Sequence, residues 1–391
     1  MPLTSRKFRL LFTTAVFVFT GTAVFLTWTL FRTVEESVQP VVVDTRVRRA
    51  IDGILVDPSD ATSRSVGVLI DGMVDGRPTA GLSAAPLVWE LPVEGGITRF
   101  LAVYPSDALP EKVGPIRSLR PYVLDFASEV GALLMHVGGS PEALTRARTF
   151  PLERLNQFFD DRFFWRSTDR RAPHNVFTSQ YLVTSAFTER KYARESVFTP
   201  WRYQNESVVN ADGNGVRVAY STSSYTVEWR WNGSRYERFM GGVRHQDEDG
   251  AAIDAKNVLV QFTSIEILDA IGRRRITTEG EGKALVLTAG STHEATWKKI
   301  VGDRTRFYYA IPEYPATAGM KGNRCKDTVG GADSDHNAPA QIPCGSPQGR
   351  VHDTLTGEEV ALQPGTTWIE VVPNNGDVTI VQSQITEDIK N

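Results

Sequence analysis

The sequence has little cysteine, almost no net charge and none of several short motifs that identify common catalytic sites. Only two of its 391 residues are cysteines, which excludes a framework of several disulfides and a four-cysteine zinc site. The formal net charge of -3 gives no support for nucleic-acid binding, which requires a basic face. The phosphate-binding loop GxxxxGK[ST], the nucleophile turn GxSxG and the zinc motif HExxH are all absent. No enzyme class is therefore indicated by a motif.

The two cysteines, Cys325 and Cys344, lie in a segment dense in glycine, proline, asparagine and aspartate. In an exported protein such a pair is expected to form one disulfide that closes a long loop. Asp333–Asn337 begins like a calcium loop, but Ala338 stands where that loop needs glycine. The spacing of cysteines and histidines matches no common zinc pattern. We therefore expect no metal and no cofactor.

An uncharged apolar run spans Leu10–Phe31. As a helix its 22 residues would measure about 33 Å, enough to cross a bilayer. Basic residues dominate its N-terminal flank: Arg6, Lys7 and Arg9. This bias predicts a single-pass protein of the cell membrane with a cytoplasmic N-terminus and an extracytoplasmic bulk. A cleaved signal peptide and a buried soluble helix remain alternatives.

The chain after the anchor changes character near residue 205. Before it, short apolar runs bounded by glycine and proline, such as Ser65–Asp71 and Thr98–Tyr104, alternate with helical stretches, such as Tyr122–Val130, which is typical of an α/β domain. After it, runs of strand character with few helical patterns predict a mainly-β domain. The predicted parts are a cytoplasmic stub and transmembrane helix (1–33), a stem (34–61), an α/β domain (62–205), a mainly-β domain (206–375) with a disulfide-bearing insertion at about 313–353, and a tail (376–391).

Three stretches of the α/β domain carry candidate ligand-binding residues. The first runs from a strand ending at His136 through the turn at Gly139 to Ser140 and Pro141. Serine followed by proline predicts a helix start. A glycine turn leading into a helix N-terminus suits an anion. The alternative is a structural turn with a hydrogen-bonded His136.

The second stretch places Arg117 and Arg120 just before a helix that Pro121 should open. The helix dipole disfavours cations at this end, so either a local acid or an anionic ligand should compensate them. Glu90 and Glu94 could be internal partners. Arginine's planar fork favours carboxylates and phosphates when the site is open.

The third stretch places His174 and Asn175 in a loop before another predicted helix. Imidazole and amide groups side by side can hold an oxyanion, but both residues are also ordinary loop formers. Asp71 and Glu94 precede glycines at probable strand ends and are most simply turn formers.

Long motifs through both predicted domains resemble the YerB-like family of bacterial exported proteins. In the first domain these are VEGGITRFLAVY (Val93–Tyr104), EKVGPIRSLRP (Glu111–Pro121), HVGGSPEAL (His136–Leu144) and RAPHNVFTS (Arg171–Ser179), and in the second AKNVLVQF (Ala255–Phe262), GEGKALVLTAG (Gly280–Gly290) and LQPGTTWIEVVP (Leu362–Pro373). The resemblance implies an extracytoplasmic location and a two-domain architecture, and it implies little about activity. Many relatives look like lipoproteins, whereas no cysteine lies near this N-terminus. The segment 313–353 interrupts the family pattern.

These observations lead to three hypotheses. The first is a membrane-anchored protein that binds an anionic envelope polymer, peptidoglycan or a phosphate-bearing wall polymer, through Arg117, Arg120, His136, Gly139, Ser140, His174 and Asn175. The second is a hydrolase or transferase acting on the same polymers, with His136 or His174 as general base. The third is a non-catalytic regulator or scaffold that binds an envelope protein. The absence of a nucleophile motif or metal set favours a non-enzymatic role.

Overall fold

The structure, a computed structural model, describes residues 5–35, 44–205, 213–311 and 357–382. It separates into two compact units, Met1–Arg46 and Val47–Asn391. In the first, helix α1 spans Ser5–Glu35. Its segment Arg9–Leu30 is long and apolar enough to cross a membrane by length and composition. The N-terminal apolar helix expected from the sequence is therefore confirmed.

Among the described residues, the second unit contains three α-helices, six short 3-10 helices and 22 strands. Its first half consists of β1 (Val47–Arg48), β2 (Leu55–Val56), β3 (Ser65–Asp71), β4 (Leu87–Pro92), β5 (Thr98–Pro105), α2 (Pro121–Ser128), β6 (Leu133–His136), α3 (Pro141–Thr149), β7 (Arg154–Asn156), β8 (Trp165–Arg166), β9 (Val176–Phe177) and α4 (Gln180–Arg190). Its second half consists of β10 (Asn214–Ala219), β11 (Thr226–Trp231), β12 (Tyr236–Met240), β13 (Val243–Arg244), β14 (Asp254–Ala255), β15 (Asn257–Thr263), β16 (Ile265–Ile267), β17 (Arg274–Ile276), β18 (Gly280–Thr288), β19 (Ser291–Lys299), β20 (Arg306–Tyr309), β21 (Thr367–Pro373) and β22 (Asp377–Gln382).

A ten-stranded mixed sheet runs through both halves in the order β20-β19-β18-β15-β21-β4-β5-β3-β6-β7. The halves meet where β21 pairs in parallel with β4. Strands β3, β4 and β5 are buried along their whole length. Their apolar runs are continuous rather than alternating because both faces of the sheet are covered.

Each face of this sheet packs against a different layer. On one face, Val68 and Val88 belong to a core shared with Val216 and Trp229 of the smaller antiparallel sheet β13-β12-β11-β10-β22. On the other face, Leu69 belongs to a core shared with residues of α2 and α3. This layering confirms the predicted fold class, an α/β N-terminal half followed by a mainly-β half.

Strands from both predicted domains belong to one sheet, so the sheet itself marks no boundary between them. The predicted domain boundaries stay a prediction. The structure does correct the two margins of the folded part. Residues 377–382, expected in a tail, form β22 and pair with β10. The expected stem contributes β1 and β2, and its Ile51 is buried in the core. Cys325 and Cys344, and with them the predicted disulfide, lie outside the described residues.

Candidate anion-binding site

The chain segment before α2 is wedged between the ends of β3 and β6. The Arg117 amide donates to the Leu69 carbonyl at 2.8 Å, and the Arg117 carbonyl accepts from the Val137 amide at 3.0 Å. Two residues later the Leu119 amide donates to the Gly138 carbonyl at 3.0 Å. The two strands pair through only three residue pairs, so their carboxyl ends can separate around this segment. This segment holds Arg117 at the carboxyl ends of two parallel strands, where ligands collect in open α/β sheets.

The carboxylate of Asp71, at the end of β3, binds a histidine and an arginine together. Its Oδ2 lies 2.6 Å from His174 Nδ1 and 3.1 Å from Arg117 Nε. Its Oδ1 accepts from the Met73 amide, and Arg117 also donates to the Pro173 carbonyl. Because a carboxylate accepts, His174 Nδ1 carries the hydrogen, and Nε2 is left as the ring nitrogen available to a ligand. The Asp71 side chain is fully buried, whereas those of His174 and Arg117 are 12% and 16% exposed.

Arg120 forms a two-pronged ion pair with Glu94. The Nε–Oε1 and Nη2–Oε2 distances are 2.6 and 2.8 Å. Burial alone would raise the pKa of Glu94, but the hydrogen bonds and charge of Arg120 outweigh it and lower that pKa. Arg120 is the N-cap residue of α2, so Glu94 compensates the cation that the helix dipole disfavours. The internal acid anticipated from the sequence is thus present.

A third arginine, Arg99, lies directly opposite Asp71 in the register of β3 and β5. It is 5% exposed, donates from Nη1 to the Ser118 carbonyl at 2.6 Å, and has no partner for Nε. Burial, and then the like charges of Arg120 and Arg117, lower its pKa to about 10. Burying a guanidinium among two others is costly, so this arrangement calls for negative charge nearby.

We call this group the open cluster; its members are Asp71, Glu94, Arg99, Arg117, Arg120 and His174. It holds three guanidinium groups and two carboxylates, so the positive charge is in excess. Arginine does not lose its proton in proteins, and the excess cannot be removed by titration. A carboxylate or phosphate is the ligand chemistry that would balance it.

His136 lies apart from the open cluster. It is 1% exposed, its Nδ1 is 2.7 Å from the Gly138 carbonyl, and its Nε2 has no partner among the described residues. Burial lowers its pKa to about 4. Gly138 adopts φ +58°, and a Cβ there would lie 2.6 Å from the Phe158 ring, so the turn requires glycine. His136 lines a separate cavity together with residues of α3.

Gly139, Ser140 and Asn175 have structural partners. Ser140 is the N-cap of α3, its Oγ accepting from the Ala143 amide, and its own amide donates to the Leu119 carbonyl. Gly139 pairs with the same segment through a parallel bridge. The Asn175 side chain accepts from Arg166 at 3.0 Å. The turn at which the sequence predicted an anion therefore binds the backbone of the segment before α2. A ligand role for these three residues stays a prediction.

The sequence analysis missed Arg99 and interpreted Asp71 as a turn former. A partial signal existed, because each is a charged residue at the end of an apolar run. Only the pairing of β3 with β5, and the loop that brings His174 to β3, reveal that they belong together. Among the described residues no three histidine, cysteine, aspartate or glutamate side chains form a metal site; the calcium-like run Asp333–Asn337 lies outside them.

Comparison with known proteins places this architecture in a family of unknown function. Residues 52–193 match the N-terminal domain, and residues 216–314 the C-terminal domain, of the family described as "Protein of unknown function (DUF3048)". The chain is 31% identical over 264 residues to the "Putative lipoprotein YerB" of Bacillus subtilis, an alignment covering 66% of this chain and 80% of that protein. The crystal structure of the Bacillus subtilis YerB protein superposes with a TM-score of 0.66 at 27% identity, covering 86% of this chain and 99% of that one.

These matches, with the fold and the apolar helix, indicate a membrane-associated, exported protein of the cell envelope. The chain belongs to the YerB-like family, DUF3048. The family resemblance inferred from the motifs is therefore confirmed. The relative is named a lipoprotein, whereas this chain has no cysteine near its N-terminus and carries helix α1 there.

Proposed function

We propose that this protein is a single-pass, membrane-anchored extracytoplasmic protein whose N-terminal half binds an anionic envelope polymer through the open cluster. Arg117 and Arg99 would hold the anion, with His174 Nε2 orienting it. The polymer's anion is a peptidoglycan carboxylate or the phosphate of a wall polymer. The observation that carries the proposal is the excess of guanidinium over carboxylate, with the buried Nε of Arg99 unpartnered.

Two features of the cluster support binding rather than a purely structural role. A structural ion-pair network tends to match its charges, as Arg120 does with Glu94. Arg117 and His174 instead both lie close to one oxygen, Oδ2 of Asp71. Arg117 Nε makes no hydrogen bond with a described residue, and both side chains reach the solvent. Partly buried guanidinium groups at a solvent boundary bind carboxylates and phosphates with little screening by salt.

The test is cosedimentation of the full-length protein in detergent with two probes, purified peptidoglycan stripped of phosphate polymers and intact walls that retain them. In the variant Arg117→Gln, the dissociation constant should rise about tenfold to a hundredfold, since hydrogen bonds to charged groups contribute about 1.5–3 kcal/mol. Preference for one probe identifies the anion as carboxylate or phosphate.

A matched control is Arg275→Gln, which also removes one positive charge. Arg275 is 65% exposed and pairs with Glu266 at 3.0 Å on the small hairpin of β16 and β17. It should bind both probes as the wild-type protein does. Unchanged binding by Arg117→Gln, in a protein whose circular dichroism shows it to be folded, would contradict the proposal.

A second candidate function, hydrolysis of the same polymers, is favoured by the Asp71–His174 pair. A carboxylate that holds Nδ1–H orients the imidazole and leaves Nε2 as the nitrogen that could act as a general base. Among the described residues no serine, threonine or cysteine side chain hydrogen-bonds this imidazole, so the nucleophile would be water. Arg117 would stabilise the negative charge that develops.

Release of soluble fragments from labelled walls tests this second candidate. Hydrolysis predicts a measurable rate in the wild-type protein that falls at least about a hundredfold in His174→Ala, in line with typical general-base contributions. A rate that survives both His174→Ala and Asp71→Asn would exclude the mechanism. Binding without any release supports the first candidate.

A further inference from the structure

A cavity of about 470 Å³ lies beside α3 and β7 and is separate from the open cluster. Its apolar wall includes Leu144 and Ala147 of α3 and the rings of Phe159 and Tyr192. This volume lies within the range of about 300–1,000 Å³ typical of small-molecule sites. The cavity is therefore large enough for one sugar or a ligand of similar size.

His136, which lines this cavity, carries a buried imidazole. Because the Gly138 carbonyl can only accept, His136 Nδ1 donates the hydrogen at 2.7 Å. Burial lowers the pKa of this imidazole to about 4, so at neutral pH Nε2 is an acceptor with a free lone pair. It has no partner among the described residues. A ligand that satisfies it must supply a hydroxyl or an amide N–H.

The same cavity has an excess of cations. Of its acids, Glu153 is already paired with Arg64, and Asp160 with Arg190. Its own two arginines, Arg148 and Arg154, make no such ion pair with a described residue.

Arg154 donates to the Leu152 carbonyl at 3.2 Å and makes no ion pair with a described residue. Arg148 is exposed in the last turn of α3 and makes neither a hydrogen bond nor an ion pair with a described residue. Two guanidinium forks with free donors are suited to a carboxylate or a phosphate.

An exposed aromatic surface borders the cavity. Phe159 lines it and is 82% exposed, and its neighbour Phe158 is 65% exposed. Two adjacent exposed phenylalanines are unusual on a surface that binds nothing. A flat ring offers the apolar face of a sugar a contact of matching shape.

We propose that this cavity binds an anionic sugar, with the acid group on Arg148 and Arg154, a hydroxyl or amide N–H donated to His136 Nε2, and the ring against Phe159. The acid group is a carboxylate or a phosphate, which share this chemistry. The site does not rest on the open cluster, and its variants are different residues. Failure of one proposal is therefore distinguishable from failure of the other.

The experiment is isothermal titration of the full-length protein with three probes: N-acetylmuramic acid, N-acetylglucosamine 6-phosphate and N-acetylglucosamine. At least one acidic sugar should bind about tenfold or more tightly than the neutral one. Arg148→Gln with Arg154→Gln should abolish this preference. The higher affinity of the carboxylated or the phosphorylated sugar identifies the source of the acid.

Two further variants complete the test. His136→Phe keeps a ring but removes the acceptor, and should weaken all three sugars by about the same factor. Arg162→Gln, which removes an exposed charge paired with Glu189, should bind as wild type does. Equal affinity for acidic and neutral sugars, or no binding of any probe at millimolar concentration by the folded wild-type protein, would overturn the proposal.

Discussion

Two groups of arginines and carboxylates, one closed and one open, lie against the same large sheet. The open cluster has more guanidinium groups than carboxylates, and the closed cluster has more carboxylates than guanidinium groups. The open cluster has three guanidinium groups and two carboxylates. The closed cluster, buried between the two sheets, has one guanidinium, two carboxylates and a histidine: Arg238, Glu90, Glu370 and His245. All four of these side chains are buried.

The closed cluster neutralises its own excess. Glu90 and Glu370 are neighbours across β4 and β21, and Arg238 forms an ion pair with Glu90. Glu370 accepts from Trp229 Nε1 at 2.7 Å and from Tyr220 at 2.8 Å. Burial, and then the charge of Glu90, raise the pKa of Glu370 to about 8. At neutral pH Glu370 is therefore protonated, and one cation faces one anion.

The open cluster cannot neutralise its surplus charge by protonation in the same way. A surplus carboxylate can take up a proton, but a surplus guanidinium keeps its charge. Arg238 is also enclosed by the rings of Phe100, Trp229 and Trp368, with distances of 5.3, 5.6 and 4.7 Å from its guanidinium carbon to the ring centres. Arg117 has solvent on one side instead. The comparison teaches that the closed cluster balances its own charge, whereas the open cluster keeps a surplus of positive charge, which we propose an external anion balances.

The largest effect should come from removing the closed guanidinium. Arg238→Met leaves Glu90 buried without its cation, which should lower the free energy of unfolding by about 3–5 kcal/mol. Arg117→Met leaves Asp71 with His174 and a backbone amide, so its cost should be about 1–3 kcal/mol. Urea unfolding of the two variants measures both costs. A larger loss in Arg117→Met would reverse the comparison.

The second effect is the pH dependence of the closed cluster. Between the ordinary pKa of 4.5 and the folded value of about 8, the folded protein holds a proton on Glu370 that the unfolded chain has lost. The free energy of unfolding should therefore fall by a few kcal/mol as pH rises through this window, at about 1.4 kcal/mol per unit of pKa difference. Glu370→Gln should remove this fall while retaining an acceptor for Trp229. Urea unfolding across the window checks it; an unchanged slope in the variant would show that another group titrates.

Local features of this architecture were predictable from the sequence, and its long-range contacts were not. The start of α3 follows from Ser140 and Pro141, because capping and the missing proline N–H act within one turn. The runs at β3 and β5 follow from their unbroken apolar character. By contrast, His174 reaches Asp71 across 103 positions, and nothing in either local pattern encodes that contact.

The margins of the fold show the same limit. Strand β22 has the burial pattern of a half-exposed edge strand. Its sequence, DVTIVQ, therefore has no strong apolar signal that would predict a strand. Its place is set by pairing with β10, more than 150 positions earlier. The site was predictable to the extent that it uses residues close together in the sequence, Arg117 and Arg120. Arg99 was not, since a charged residue near the start of a strand is ordinary until its neighbours are known.

A smaller effect separates the two arginines of the open cluster. Arg120→Lys keeps the charge but loses one of the two bonds to Glu94, which should cost about 1 kcal/mol because the pair is largely buried. Wall binding should weaken less than in Arg117→Lys, because Glu94 already occupies the Arg120 fork. Urea unfolding and cosedimentation measure the two quantities on the same samples. Stronger loss of binding in Arg120→Lys would make Arg120 the principal ligand.

The smallest effect tests where the open cluster ends. Ser140→Ala removes the cap on the Ala143 amide, a bond of 3.2 Å, and should cost about 0.5–1 kcal/mol at the low end of the range for N-caps. Ser140→Asp keeps a capping oxygen and adds a negative charge that the helix dipole favours. If Ser140 contacted the anion, this charge would repel it and weaken wall binding. Because the Ser140 amide already donates to Leu119, both variants should bind walls as the wild-type protein does. Weaker binding in Ser140→Asp alone would extend the open cluster to the turn before α3.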